Sequence, residues 1–191
     1  MPVVGGSGIF RFSHGYALAK TFRIDQKVAV VAAKFSEQFA QMEAMPNVNK
    51  MTHLHFYFHD IIGGNNPSVY YIFRGKNNAG TTAMIDDPLT EGTEHGSKIV
   101  GRAQGMYSFP TKTEPALLMV INFSFLEGEY NGSTISILGR NPVLQKVREM
   151  PIVGGTGMFR FSHGYALAKT VHFNPKNGDA VVEYDVYVMH F

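Results

Sequence analysis

From His53 onward the chain is written in alternation. In LHFYFHDI, Leu54, Phe56, Phe58 and Asp60 fall on one face of an extended strand, and His53, His55, Tyr57 and His59 fall on the other. Successive strand residues point to opposite faces, so an extended backbone is the conformation that keeps such a pattern one-sided. Six further stretches read as strands: SVYYIFRG, KIVGRAQGMYSF, ALLMVINFSFLEG, STISILG, GMFRFSHGYALAKTVHF and AVVEYDVYVMHF. Between them lie the turn signals GGNNP, GKNNAG, DDPLTEG, GEYNGS, GRNP and NPKNGD, rich in the residues that tight turns demand. Seven or eight strands over about 140 residues, joined by short loops, predict an antiparallel up-and-down barrel or a sandwich. The barrel is preferred, because long two-faced strands leave sticky edges in an open sheet.

The chain divides into an atypical extension, 1–50, and a β domain, 51–191. Residues 1–21 and 150–170 are identical at 18 of 21 positions, differing only as Val3/Ile152, Ser7/Thr156 and Ile9/Met158. Repeat folds need at least three units at a period of about 20–50 residues, whereas here two distant copies flank unrelated sequence. The later copy sits among the strands and is read as the working part. The earlier copy is read as a displaced fragment lying loosely outside the barrel, with strand exchange as the alternative. Between the fragment and the β domain, Asp25 can cap a helix. Val28, Val31, Ala32, Phe35, Phe39 and Met42 then follow helical spacing. An amphipathic helix is therefore expected over 22–46, packing its apolar stripe on the main body.

Composition removes several classes of function. A net charge of +2 without a Lys/Arg block argues against a nucleic-acid partner. The absence of cysteine excludes disulfides, thiolate nucleophiles and Cys-ligated zinc. No stretch approaches the ~20 apolar residues of a membrane-spanning helix, so no membrane partner is expected. Histidines 53, 55 and 59 share a strand face, but no spaced acidic ligand accompanies them, and neither a metal nor another cofactor is expected. No GxSxG nucleophile elbow is present. The first residues carry no signal-peptide pattern; read literally, that predicts a cytosolic chain, although those residues are themselves a copy of a late segment.

The segments FYFHDI (56–61), MIDDPLT (84–90), VGRAQGMY (100–107), NFSF (122–125), YNGSTISILGRNPV (130–143) and VREMPIVGGTGMFRFSHGYALAKT (147–170) resemble the plant dirigent proteins in order and spacing. The resemblance covers about residues 52–191, and the GRNP wording is most similar to the branch that includes pterocarpan-forming members. It implies an all-β fold, an eight-stranded antiparallel barrel usually assembled as a trimer, with a dimer as the other possibility, and a pocket at one end. It further implies secretion to the apoplast and N-glycosylation, for which Asn122 and Asn131 head the two sequons. Family members hold no oxidising centre. A laccase or peroxidase makes phenoxy radicals from monolignols such as coniferyl alcohol, and the barrel directs their stereoselective coupling in lignan biosynthesis. Other members guide stereospecific ring closure of a quinone methide, as in pterocarpan biosynthesis. A non-catalytic phenolic-binding or defence-related role is the remaining alternative.

Phenoxy radicals and quinone methides are flat, apolar and reactive. Their host needs a water-poor pocket with a few polar groups to fix orientation. Holding reactants in near-attack geometry removes much of the entropic barrier, and tenfold stereoselectivity needs only about 1.4 kcal/mol. Asp60 shares the face of Phe56 and Phe58. A carboxyl buried there would have a raised pKa and could donate a proton, although a strand-end Asp can also simply accept backbone N–H bonds. Asp86-Asp87-Pro88 reads as a turn, with Asp87 as the member that reaches the pocket. By resemblance, Tyr107, Arg148 and Thr170 match family pocket positions. Tyr107 would bond a phenolic oxygen, and Arg148 would polarise a quinone methide oxygen unless it pairs with Glu149. Phe161 and Tyr165 are read as lining. Asn141 stands where pinoresinol-forming relatives carry an acid. Asn cannot supply a proton, so Asp60 or Asp87 would have to.

Overall fold

A computed structural model describes residues 1–3, 15–16, 50–110 and 112–191. The helix expected over 22–46 lies outside these residues. Among the described residues eleven strands are formed: β1 Pro2–Val3, β2 Gly15–Tyr16, β3 Lys50–Asp60, β4 Val69–Phe73, β5 Thr82–Thr90, β6 Ile99–Ser108, β7 Leu117–Phe125, β8 Thr134–Asn141, β9 Arg148–Thr156, β10 His163–Phe173 and β11 Ala180–His190. Hydrogen bonding runs in the order β3-β11-β10-β9-β8-β7-β6-β5, and β5 returns to β3 through Tyr57–Thr90 and Phe58–Leu89. The result is a closed eight-stranded antiparallel barrel, with β4 as an extra strand along β5, Val69 opposite Ile85 and Phe73 opposite Thr82.

Two readings of the sequence change. Asp86, Asp87 and Pro88 make no turn; they lie within β5. Pro88 is tolerated because it falls where the β4 ladder has ended and the β3 ladder has not begun, so β5 has a free edge there and a missing N–H costs little. The stretch GMFRFS is likewise not strand: Gly157–Phe159 form a short 3-10 turn between β9 and β10. The strand before that turn, Arg148–Thr156, was hidden by its proline and paired glycines.

Alternation is the rule of the barrel wall. Phe56 and Phe58 on β3, Ala83 and Ile85 on β5, Ile121 and Phe123 on β7, Ile135 and Ile137 on β8 and Tyr184, Val186 and Val188 on β11 are all buried. Phe123 packs edge-on against Phe56 and Tyr184, at 5.0 and 5.2 Å between ring centroids. Each Val, Ile or Phe among them contributes roughly 1.5–3 kcal/mol on leaving water. Gly105 (φ +154°) lets β6 and β7 approach closely, because a Cβ there would stand 2.2 Å from the Val120 carbonyl oxygen.

The two ends of the barrel differ. At one end Tyr130 stacks on Phe159 at 5.0 Å, the His190 ring meets Phe159 edge-on at 5.2 Å, and the three fill the interior. At the other, β3 ends on Asp60, β8 ends on Asn141 and β9 begins on Arg148. Near the chain start, Pro2 faces Tyr16 and Val3 faces Gly15 across β1 and β2. The later copy pairs in the same register, Pro151 with Tyr165 and Ile152 with Gly164.

Candidate active site: a buried carboxyl pair at one end of the barrel

The seam between β3 and β5 is where the chemistry gathers. Asp60 continues the inward series Phe56 and Phe58, and Asp87 continues Ala83 and Ile85. Extending the Phe58–Leu89 register by two residues sets Asp60 opposite Asp87. Asp87 is 0% exposed. One of its oxygens accepts a hydrogen bond from the Ser68 hydroxyl, and the other is buried without a partner. The Tyr107 hydroxyl donates to Asp60 Oδ1 at 3.5 Å.

Burial disfavours the charged form of each acid. It pushes Asp60 up to about 7, against the pull of Tyr107. It pushes Asp87 up to about 8, where the Asp60 charge adds to the rise and Ser68 opposes it. Two facing buried carboxyls cannot both ionise cheaply, so they titrate as a pair that retains a proton near neutrality. Burial also raises the Tyr107 phenol far above its ordinary range, which keeps it a neutral donor.

A cation stands at the same end. Arg148 is 3% exposed and its Nε donates to Asn141 Oδ1 at 3.1 Å. Burial lowers its pKa. No ion pair with Glu149 forms among the described residues; Arg148 faces inward with Met150, while Glu149 is exposed on the other face of β9. Tyr184, fully buried, is held neutral by the same burial and feels the charges of Arg148, Asp60 and Asp87. A buried guanidinium bonded to a neutral amide keeps its charge uncompensated, and such a charge is costly unless it serves a ligand or a network.

Other expected site residues separate into two groups. Thr170 pairs with Val182 on the inward face of β10 and β11 and is exposed near the Asp60 end. Phe161 and Tyr165 are not brought to the acid pair. Phe161 sits in the turn before β10, at the opposite end, with a left-handed backbone (φ 61°). Tyr165 points outward, because its neighbour Ala166 takes the inward position, and it stacks on Tyr187 at 5.1 Å. Asp86 also faces out, bound by Arg102 at 2.9 Å and Gln104 at 3.0 Å.

The strand histidines take separate partners: His53 with Asp185, His55 with Glu183 and His59 with Thr90. Of the sequon residues, Asn131 is exposed just after the Gly128–Tyr130 turn. Asn122 lies in the middle of β7 and accepts a bond from the Ser136 hydroxyl at 2.7 Å. Ser68 and Tyr184 were missed as site residues. Tyr184 was legible as inward by alternation; Ser68 follows Pro67 in a loop and carries no pattern that could have marked it.

Comparison with known proteins places this geometry. The family model described as "Dirigent-like protein" matches residues 51–189. Dirigent protein 21 of Arabidopsis thaliana is 53% identical over 148 residues, 74% of this chain and 78% of that protein. Pterocarpan synthase 1 of Glycyrrhiza echinata is 46% identical over 171 residues, 86% of this chain and 91% of that protein. A solved pterocarpan synthase dirigent protein, GePTS1, superposes with a TM-score of 0.72 at 51% identity, covering 75% of this chain and 92% of that one.

Proposed function

Because the chain belongs to the dirigent family, we propose that it directs the stereochemistry of a phenolic quinone methide, and that its reaction is ring closure of the pterocarpan-forming kind. The carboxyl pair carries this reading. Coupling of two phenoxy radicals forms its carbon–carbon bond by orientation alone, and an acid serves only the later closure of the coupled quinone methides. Ring closure with loss of water needs an acid at the leaving hydroxyl, and Asn141 cannot be one. This reverses the order of the two expectations drawn from sequence.

In the proposed cycle the substrate's hydroxyl takes a proton from the pair and leaves as water. A phenol of the same substrate gives up its proton to solvent, from which the oxygen later recovers one, and the neutral quinone methide results. A second phenol oxygen then adds to the electrophilic carbon, and its proton returns to the pair. The quinone methide oxygen regains a proton as the ring closes. Water is the only group lost. Arg148, whose charge meets no carboxylate among the described residues, is the group suited to the oxygen on which negative charge collects. Tyr107 and Thr170 orient the phenolic groups, and the aromatic walls exclude competing water.

Incubating the protein with an isoflavanol that carries the second phenol, and no oxidase, tests the reading. One pterocarpan enantiomer formed in proportion to protein supports it. If there is no product, and coniferyl alcohol with laccase instead yields enantiomeric excess without faster alcohol consumption, coupling replaces ring closure. The partners on this reading are small phenols and, for coupling, an external laccase or peroxidase.

We further propose a secreted homo-oligomer, a trimer by family resemblance. Tyr70, Met84, Met106, Val120 and Leu138 stand opposite one another across β4 to β8. Tyr70, Met84, Val120 and Leu138 are exposed, and such a row favours a covered face.

A further inference from the structure

We propose that Ser68 is a positioning residue for the carboxyl pair: it grips Asp87 through the barrel wall and thereby sets how readily Asp87 gives up its proton and what charge Asp60 faces. The proposal rests on the acid-pair reading of the site given above. Ser68 stands at the seam where β3 and β5 share only two residue pairs, and it takes the place of the missing ladder. Its N–H donates to the Ile61 carbonyl at 2.9 Å, and its own carbonyl accepts from the Asp86 N–H at 3.0 Å. The Ile61 N–H donates to Ser68 Oγ at 3.2 Å. The hydroxyl is thus pinned as an acceptor on the β3 side. Its single proton goes to Asp87 Oδ1, the other acceptor within reach being the Ile61 carbonyl at 3.5 Å.

That direction matters. A donor aimed at a carboxylate favours its charged form. Around Asp87, Asp60 from β3 and Asp86 from its own strand oppose the charge, while Arg102 from β6 favours it. Arg102 acts from outside, already bound to Asp86. Around Asp60, Tyr107 from β6 lowers the pKa and Asp179 from the turn before β11 raises it. Tyr71 from β4 acts on Tyr107, and Tyr184 from β11 and Arg148 from β9 face the pair from across the barrel. Among the described residues, Ser68 makes the one hydrogen bond to an Asp87 oxygen. Asp87 is fully buried, so its effect on a ligand passes through Asp60.

Outside Ser68 lies a cleft of about 230 Å³, lined also by Ile61, Asn66, Tyr70, Asp86 and Arg102. It leaves room for one added methyl group, which makes a matched pair of variants available. Ser68→Thr keeps the hydroxyl; Ser68→Val has the same shape without it and blocks water from replacing it. The readout is the infrared carboxylic-acid C=O band followed against pH, with the alkaline limb of the ring-closure pH profile beside it.

The expected result is a wild-type and an S68T band lost near neutrality, and an S68V band lost about one pH unit higher, the size of one hydrogen bond to a charged group. The alkaline limb moves with it, and kcat changes more than KM. If S68V does not fold, S68A takes its place against S68T. S68V titrating where S68T does overturns the role of Ser68 and leaves the acid pair intact. A wild-type protein with no carboxyl titrating above the ordinary range, or with one that survives in the Asp60→Asn, Asp87→Asn double variant, overturns the acid pair and with it this proposal.

Discussion

At the scale of single residues, the carboxyl pair makes a prediction about stability as well as activity. Both folded-state pKa values lie above the unfolded value of about 3.9, at about 7 for Asp60 and about 8 for Asp87. An acid raised on folding binds more protons in the native state. Its contribution is therefore fully present below pH 4 and is lost as pH rises through the folded pKa. The Tm of the wild-type protein is expected to fall between roughly pH 4 and pH 8, apart from whatever other groups contribute. Asp87→Asn removes a buried charge while keeping the shape, so it should flatten that fall and raise Tm at pH 8, read by calorimetry. Asp60→Asn should abolish most ring closure yet retain phenol binding by titration calorimetry. A passive carrier would bind the phenol without closing the ring, in wild type and variant alike. Arg148→Met should lower kcat more than it weakens binding of a neutral phenol, because its charge is wanted where negative charge develops.

At the scale of elements, alternation made the strands legible and registers set their use. Phe56, Phe58 and Asp60 could be assigned to one face before any coordinates, since parity alone decides it. Asp86-Asp87-Pro88 misled because its composition is that of a turn; only the gap between two ladders on β5 explains why a strand tolerates it. The motif around Tyr165 suggests lining, whereas the buried neighbours Ala166 and Ala168 give its true face. Ser68 was illegible for a deeper reason: its role comes from a contact between chain segments, and no local spacing encodes that. Register also locates the fragile points of the wall. Gly105→Ala would force a Cβ to within 2.2 Å of the Val120 carbonyl at φ +154°. It is expected to cost at least about 2 kcal/mol, measured as a shift in urea midpoint. Phe123→Ala, which removes the ring packed between Phe56 and Tyr184, should cost about 3–5 kcal/mol.

At the scale of the whole molecule, every strand of the closed barrel lies between Lys50 and His190. The duplicated segment therefore adds pairing without being required for closure. The two residue pairs of β1 and β2 repeat the register of β9 and β10, and β1 lies against β9. The outer surface makes the sharper prediction. The row Tyr70, Met84, Met106, Val120 and Leu138 runs across five strands in register, and its neighbour on β7 along the same face is Asn122, two residues from Val120. An apolar row covered by other subunits and a glycan on Asn122 exclude each other, because the sugar would occupy the space the partner needs. Asn131, in an exposed turn, has no such conflict. Protein from a secreting host is accordingly expected to carry glycan at Asn131 and not at Asn122, by peptide mass spectrometry. Replacing both Val120 and Leu138 with Glu should convert the oligomer to a monomer by light scattering, while the Tm of the barrel stays within a few degrees because neither side chain faces the core. A wild-type protein already monomeric would remove the covered face from the account, and Asn122 would then be open to modification.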